Sequence, residues 1–348
     1  MASLDGRPPG RSPLPEDLAA AVEAAVHHRA PWRDQFATLY AVLRANPLTL
    51  IGFLLVAVIL FTGLIVYLVP LVTGLVGHPW TILPYSIVIP SGVRFLPPSP
   101  THYFGTDAAG RDVFSRVLAA TPVDLSIGIS ITLFALAVGG VLGLIAGFWD
   151  TPGTLGGLTS TVILRVTDIF LAFPSLVLAL AIAAVLGRGF TVALFAIAAT
   201  WWPFYVRLIR GEVLAVKGAP YIVAARAAGL SDGRILTRHV FRNILEPLVV
   251  YYTLDIGSVL ITFSTITFLG IGLPPDTAEW GSMISSYQSD LAFDAWPTVF
   301  TGLAVFITVL AFSLLGDGLR DILDPRSRRA LAVTSASAGE LGNKRPTV

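Results

Sequence analysis

The stretch YIVAARAAGLSDGRILTRHVFRN, Tyr221 to Asn243, is alanine-rich and basic, yet apolar runs long enough to cross a membrane lie on both sides of it. Read as a helix, Tyr221 to Ala228 places Ala224, Ala225 and Ala228 on neighbouring faces with almost no side-chain bulk. Another backbone could approach closely there. Gly229 is the natural stop, because glycine accepts the left-handed conformation that closes a helix. Ser231 or Asp232 then offers an N-cap for a second helix, Gly233 to Asn243, on which Arg234, Arg238 and Arg242 follow at i, i+4 spacing as one basic ridge. The unit reads as helix, glycine turn, helix. Physics alone leaves two uses open: a docking handle, or a basic loop that meets anionic lipid headgroups.

The surrounding composition fixes the class. The chain has 348 residues, 54% hydrophobic and 13% charged, with mean hydropathy +0.76; soluble domains are nearer a quarter charged. This is the composition of a polytopic membrane protein. A net charge of +1 argues against a nucleic-acid partner, which demands a concentrated basic surface. Without cysteine there is no disulfide framework, thiolate nucleophile or Cys-based zinc site. All five histidines (His27, His28, His78, His102, His239) fall outside the apolar runs, which speaks against a metal site within the membrane. MASLDGRPPGRSPLPEDL at the start lacks the apolar core of a signal peptide.

A helix needs about 20 apolar residues to cross the hydrocarbon core, and six stretches qualify: Leu48 to Val69, Leu125 to Trp149, Thr161 to Leu186, Phe190 to Leu208, Leu248 to Gly272 and Trp296 to Leu315. Pro174 is expected to kink the third, near whose start Arg165 and Asp168 stand one turn apart and are expected to pair. With the N-terminus inside, only Arg94, Arg111, Arg116 and Arg188 of the 23 Lys and Arg fall outside. Both termini are therefore expected in the cytoplasm. The organisation expected is a cytoplasmic tail over 1–46, a transmembrane domain over 47–326 and a disordered tail over 327–348. Within the domain, outer loops are expected at 74–121 and 273–295, and the polar loop at 211–245. In the first tail, PEDLAAAVEAAVHHRAP reads as a surface helix, with acids at its start and His27, His28 and Arg29 at its end.

Three motifs carry a resemblance. The Tyr221 segment resembles the cytoplasmic EAA loop of ABC-importer permeases, with Ala224, Ala225 and Gly229 on its small residues and Arg238, His239 and Asn243 on the RH...N that follows; Val223 stands where the name-giving glutamate often is. HYFGTDAAGRDVFSRVL, His102 to Leu118, resembles the HPLGTDxxGRDxxSR signature of the C-type permease in peptide and nickel importers. FLGIGLPPDTAEWGSMI, Phe268 to Ile284, resembles the family's FLGLGxxPPxPEWGxM. Phe263 occupies a position where relatives often have glutamate. The resemblance spans roughly Asn46 to Arg326, with the motifs in family order.

It implies an all-α polytopic membrane protein with about six transmembrane helices of the type I ABC-importer permease fold and a cytoplasmic coupling helix. Tyr221, Ala224, Ala225, Arg226 and Gly229 would meet the ATPase. At the outer end Asp107 is expected to cap a short interfacial helix whose exposed polar face is Arg111 and Asp112, with Val113, Val117 and Leu118 on the membrane surface. Glu279 and Trp280, with Gly281, are expected to rim the outer mouth. The implied partners are a second homologous permease, two ATPase subunits, an extracytoplasmic solute-binding protein and membrane lipid, in a bacterial cytoplasmic membrane. The expected cargo is a dipeptide or oligopeptide, with nickel or another small solute as the alternative.

An energy source must come from elsewhere. The chain has no GxxxxGK[ST] loop, since Lys217 and Lys344 follow Val216 and Asn343. This chain is thus expected to be non-catalytic and to bind no cofactor, ATP and magnesium sitting on the partner subunits. A stand-alone ion-coupled carrier would call for several intramembrane acids or an inverted repeat. Only Asp255 lies deep in a span, and an intramembrane ionisable group is by default a functional candidate. It could face the translocation pathway and meet a peptide amino terminus or a cation, or it could make a structural hydrogen bond to Tyr251, Tyr252 or a neighbouring span. An intramembrane hydrolase lacks its HExxH or Ser/His pair.

Overall fold

The computed structural model describes residues 46–75, 83, 93–274 and 277–323. The helix expected over 15–31 and the tail from Ala330 lie outside them. The described residues form α1 (Pro47–Leu75), α2 (Val113–Phe148), α3 (Leu155–Leu171), α4 (Ser175–Leu186) and α5 (Phe190–Lys217). After them come α6 (Pro220–Ala227), α7 (Asp232–Phe268), α8 (Trp280–Tyr287) and α9 (Trp296–Leu323).

Helices α1, α2, α5, α7 and α9 are long and apolar enough to cross a membrane, and α3 with α4 makes a sixth span if the bent pair counts as one. That pair turns by 85°. Proline supplies no N–H and biases the residue before it away from helical backbone, so the helix stops at Leu171 and restarts after Pro174. The sequence predicts a kink here; the structure has a break.

A second difference lies at α2. Its apolar run starts at Leu125, yet the helix starts at Val113, so the last residues of the expected outer loop are already the first turns of a span. Asp112 caps it, accepting from the Ser115 N–H at 2.8 Å.

The broadest helix contact is α2 against α5. Gly139, Gly143 and Gly147, each four residues apart, lay backbone against backbone: a Cβ on Gly139 would sit 2.4 Å from the Trp202 carbonyl oxygen, and one on Gly143 2.9 Å from that of Val206. Small residues at this spacing let membrane helices approach where lipid offers no hydrophobic drive. Helix α9 then packs between α7 and α1. One core cluster gathers Ile131, Ala183, Ile197 and Phe263. A second gathers Phe148, Tyr205, Ile209, Val213, Ile222, Ile235, Val240 and Ile244. Phe263 is fully buried, its ring edge-on to Phe190 with centroids 6.3 Å apart.

Candidate functional site

At one end of the bundle, α6 hangs on a single large apolar anchor. Ile222 is 1% exposed and packs in the cluster formed by Val213, Ile235, Val240 and Ile244. Pro220 at the first position presets the helical φ. Gly229, at φ +81°, closes the helix with the paired bonds of a Schellman stop: Gly229 N–H donates to the Arg226 carbonyl at 3.0 Å and Leu230 N–H to the Ala225 carbonyl at 3.2 Å. Arg226 also reaches Asp232 across the turn at 3.6 Å. The outward face is Tyr221, Val223, Ala224, Arg226 and Ala228, all exposed. Ala225 differs from the sequence reading, since it is half-buried against the chain's own core.

The second helix of the expected pair is not a separate short helix. From Asp232 the chain runs unbroken to Phe268, through a π-wound turn at Leu236–Val240. Ser231 is its N-cap, without a side-chain capping bond. Arg234, Arg238 and Arg242 are exposed along it.

The opposite end overturns the expected exposed helix and rim. Asp107 and Arg116 are 0% exposed, Asp112 1% and Arg111 9%. Val113 and Val117 are likewise buried rather than laid on a membrane surface. The residues GTDAAGRD fold into a tight turn with Gly110 at φ +77°. Asp107 accepts from the Ala109 and Arg111 N–H groups at 2.9 Å and takes the Arg111 guanidinium at 2.8 Å. His102 Nδ1 meets Asp112 at 2.8 Å. Arg116 lies 4.0 Å from Asp107 and donates to the Thr277 carbonyl at 3.3 Å. The Tyr287 hydroxyl stands 3.5 Å from Asp107; burial pushes its phenol up to about 12 against the pull of Arg116, so it keeps its proton.

Glu279 and Trp280 are buried in the same region, at 0% and 2% exposure. The Glu279 carboxylate caps α8, accepting from Gly281 N–H at 2.8 Å and Ser282 N–H at 2.7 Å. Asp124 of α2 accepts from Trp280 N–H at 3.2 Å, and the indole N–H donates to the Val117 carbonyl at 3.2 Å. The physical reason for the correction is that these charges find partners inside the fold. A polar residue so supplied has no need of water.

Asp255 sits mid-span on α7 and is bonded to a neighbouring span, as one of its two readings had it. Trp201 Nε1–H donates to Asp255 Oδ2 at 2.6 Å, and the Tyr205 hydroxyl to the same oxygen at 2.9 Å. Asp168 does not pair with Arg165 as expected; Arg207 of α5 takes it at 2.7 Å. Asp150 and Arg210 make a second such pair at 2.8 Å. Trp201, Tyr205 and Asp124 were missed by the reading of the sequence. So was the Gly139, Gly143, Gly147 ridge, whose spacing alone would have revealed it.

A family model described as "binding-protein-dependent transport system inner membrane component" matches residues 139–329. The probable D,D-dipeptide transport system permease protein DdpC of Escherichia coli K12 is 36% identical over 304 residues, covering 87% of this chain and 96% of that one. The chain belongs to this permease family. The dipeptide transport system permease protein DppC of Alkalihalophilus pseudofirmus is 36% identical over 321 residues, 92% of this chain and 96% of its own. The glutathione transport system permease protein GsiD of Pectobacterium atrosepticum is 40% identical over 229 residues, 66% of this chain and 74% of its own. A structure of the MetNI methionine ABC transporter aligns at TM-score 0.50 and 17% identity, covering 60% of this permease and 96% of that chain. That likeness speaks to the fold. The chain is thus a multi-pass, non-catalytic permease subunit of an ABC importer.

Proposed function

We propose that this permease forms half of the pathway through which an importer complex takes up short peptides, and that α6 is the part an ATPase subunit grips. The observation that carries the coupling role is the build of α6: one buried anchor, Ile222, beneath an outward face of small and flat side chains closed by Gly229. A rigid eight-residue helix on a small footing transmits a push without yielding. Its end of the bundle is then cytoplasmic, with both termini, and the buried polar end faces the binding protein. ATP and magnesium belong to two partner ATPase subunits, and a second permease completes the pore. Peptide cargo is supported by the relatives' names, two of them dipeptide permeases and one a glutathione permease. Trp201, Tyr205 and Asp255 supply a polar spot halfway along the span, suited to hold a passing amino terminus.

Reconstitution with the partner subunits in vesicles tests this. Gly229→Pro cannot adopt φ +81° and Ala224→Trp fills the outward face. Both are expected to leave ATP hydrolysis running while uptake falls. Full uptake in both variants would remove the coupling assignment. The cargo is read in the same vesicles: labelled dipeptides or glutathione should accumulate, and accumulation of a nickel chelate alone would overturn the peptide reading.

A further inference from the structure

The RH...N pattern, Arg238, His239 and Asn243, has no part in the docking face, and it coincides with the most unusual backbone in the described chain. Between Leu236 and Val240 the helix is π-wound, with Phe241 N–H donating to the Leu236 carbonyl five residues back. A π turn is one extra residue wound into an α-helix, rare and tolerated where it is used. The residues around it show what it does to the register. Ile235, Val240, Ile244 and Leu248 are all buried, at steps of five, four and four. In a regular α-helix the residue five on lies about 140° around the axis from its predecessor. The π turn brings Val240 back under Ile235, and so keeps on one core face both the residue that meets Ile222 of α6 and those that continue into the membrane.

Two side chains bracket the turn. The Thr237 hydroxyl donates to the Gly233 carbonyl at 2.8 Å, and the Asn243 amide donates to the His239 carbonyl. Such side-chain bonds to helical carbonyls compete with the backbone ladder and let a helix bend. The outer side of the turn is open, with Thr237, Arg238, Phe241, Arg242 and Leu245 around a cleft of about 300 Å³. These five side chains are exposed, so among the described residues no packed neighbour there resists a change of winding.

We infer that the π turn is the joint between the α6 handle and the membrane-spanning part of α7, and that Asn243 is the positioning residue that sets it. Switching the turn between π and α winding turns the first turn of α7, from Asp232 to Ile235, and with it the α6 helix that leans on Ile235, relative to the span. The inference rests on the coupling role proposed for α6.

The test is a one-residue deletion. Removing Thr237 puts Val240 four residues after Ile235, so a regular α-helix keeps the core face and only the extra winding is lost. In the reconstituted complex this variant is expected to assemble and to melt as the parent does, with ATP hydrolysis retained. Uptake per ATP should fall about tenfold, within the range of coupling energies between sites. Asn243→Ala, an exposed point change, is expected to lower it by a smaller factor and Asn243→Ser to recover part of the loss; it stands in if the deletion fails to assemble. Parental uptake per ATP in the assembling deletion variant overturns the joint, as does parental uptake in Asn243→Ala where the deletion does not assemble. Ala224→Trp in the same vesicles separates the two readings. If it uncouples while the joint variants do not, only the joint is lost. If it also transports normally, the handle itself is wrong.

Discussion

The two ends of this bundle use the same kinds of side chain in opposite ways. At the end that holds α8, Asp107, Arg111, Asp112, Arg116, Asp124 and Glu279 are all buried and meet one another or backbone groups. At the α6 end Arg234, Arg238 and Arg242 stand exposed on a helix. Buried charge fixes a shape, because removing one partner of a buried ion pair strands the other in a poor solvent for ions. Exposed charge is left available to something outside. One end is built to keep its form, and the other to be taken hold of.

Single changes of charge make the sharpest test of this difference. Asp107→Ala leaves Arg111 and Arg116 buried without their carboxylate, and should cost about 3–5 kcal/mol. Arg242→Ala at the other end should stay within about 0.5 kcal/mol. Thermal melts of the purified complex would show the first variant falling well below the second. Equal melting points would erase the contrast between the ends.

Glycines sharpen it further. A Cβ on Gly281 would lie 2.1 Å from Thr267 Oγ1 and 2.4 Å from the Ser264 carbonyl oxygen, so Gly281→Val must lift α8 off α7. The expected loss is about 1–3 kcal/mol. Around Gly233 nothing lies within 4 Å, and Gly233→Ala should gain about 0.4–1 kcal/mol by stiffening the unfolded chain. The same melts read both, with opposite signs.

Why the α8 end departs further from the sequence reading than the α6 end follows from where their partners lie in the chain. The helix, the glycine stop and the basic ridge after Tyr221 depend on local spacing, and local spacing is what a single sequence displays. Asp107 meets Tyr287 across 180 residues of chain, and Arg116 meets Thr277 across 161. Read locally, an Asp–Arg–Asp run before valines looks like an amphipathic helix with its polar face in water. Only the fold shows that α8 tucks in beside α2 and replaces that water. The π turn was legible in principle, since the buried residues step by five between Ile235 and Val240. A reading that assumes uniform α-helix spacing absorbs that step as a slightly shifted face. Asp255 stood out because an acid in an apolar run costs too much to be incidental, but Trp201 and Tyr205, its donors on another helix, carry no such local mark.

The smallest effect expected is at Val223, where the departure from the family's usual glutamate sits. Its side chain is 60% exposed on the first turn of α6, so it holds nothing together within this chain. Val223→Glu would set a carboxylate near the helix N-terminus, where the dipole favours it, and replace a β-branched residue with a better helix former. It would also stand three residues from Arg226 and compete with Asp232 for its guanidinium, which now lies 3.6 Å from Asp232. The net gain should be about 0.3–1 kcal/mol in α6 alone. Hydrogen exchange of the α6 amides would slow by a corresponding few-fold, while amides around Glu279 and Asp107 keep their rates. Slower exchange at both ends would mean that the handle and the fixed end move as one body, and the division between them would have to be abandoned.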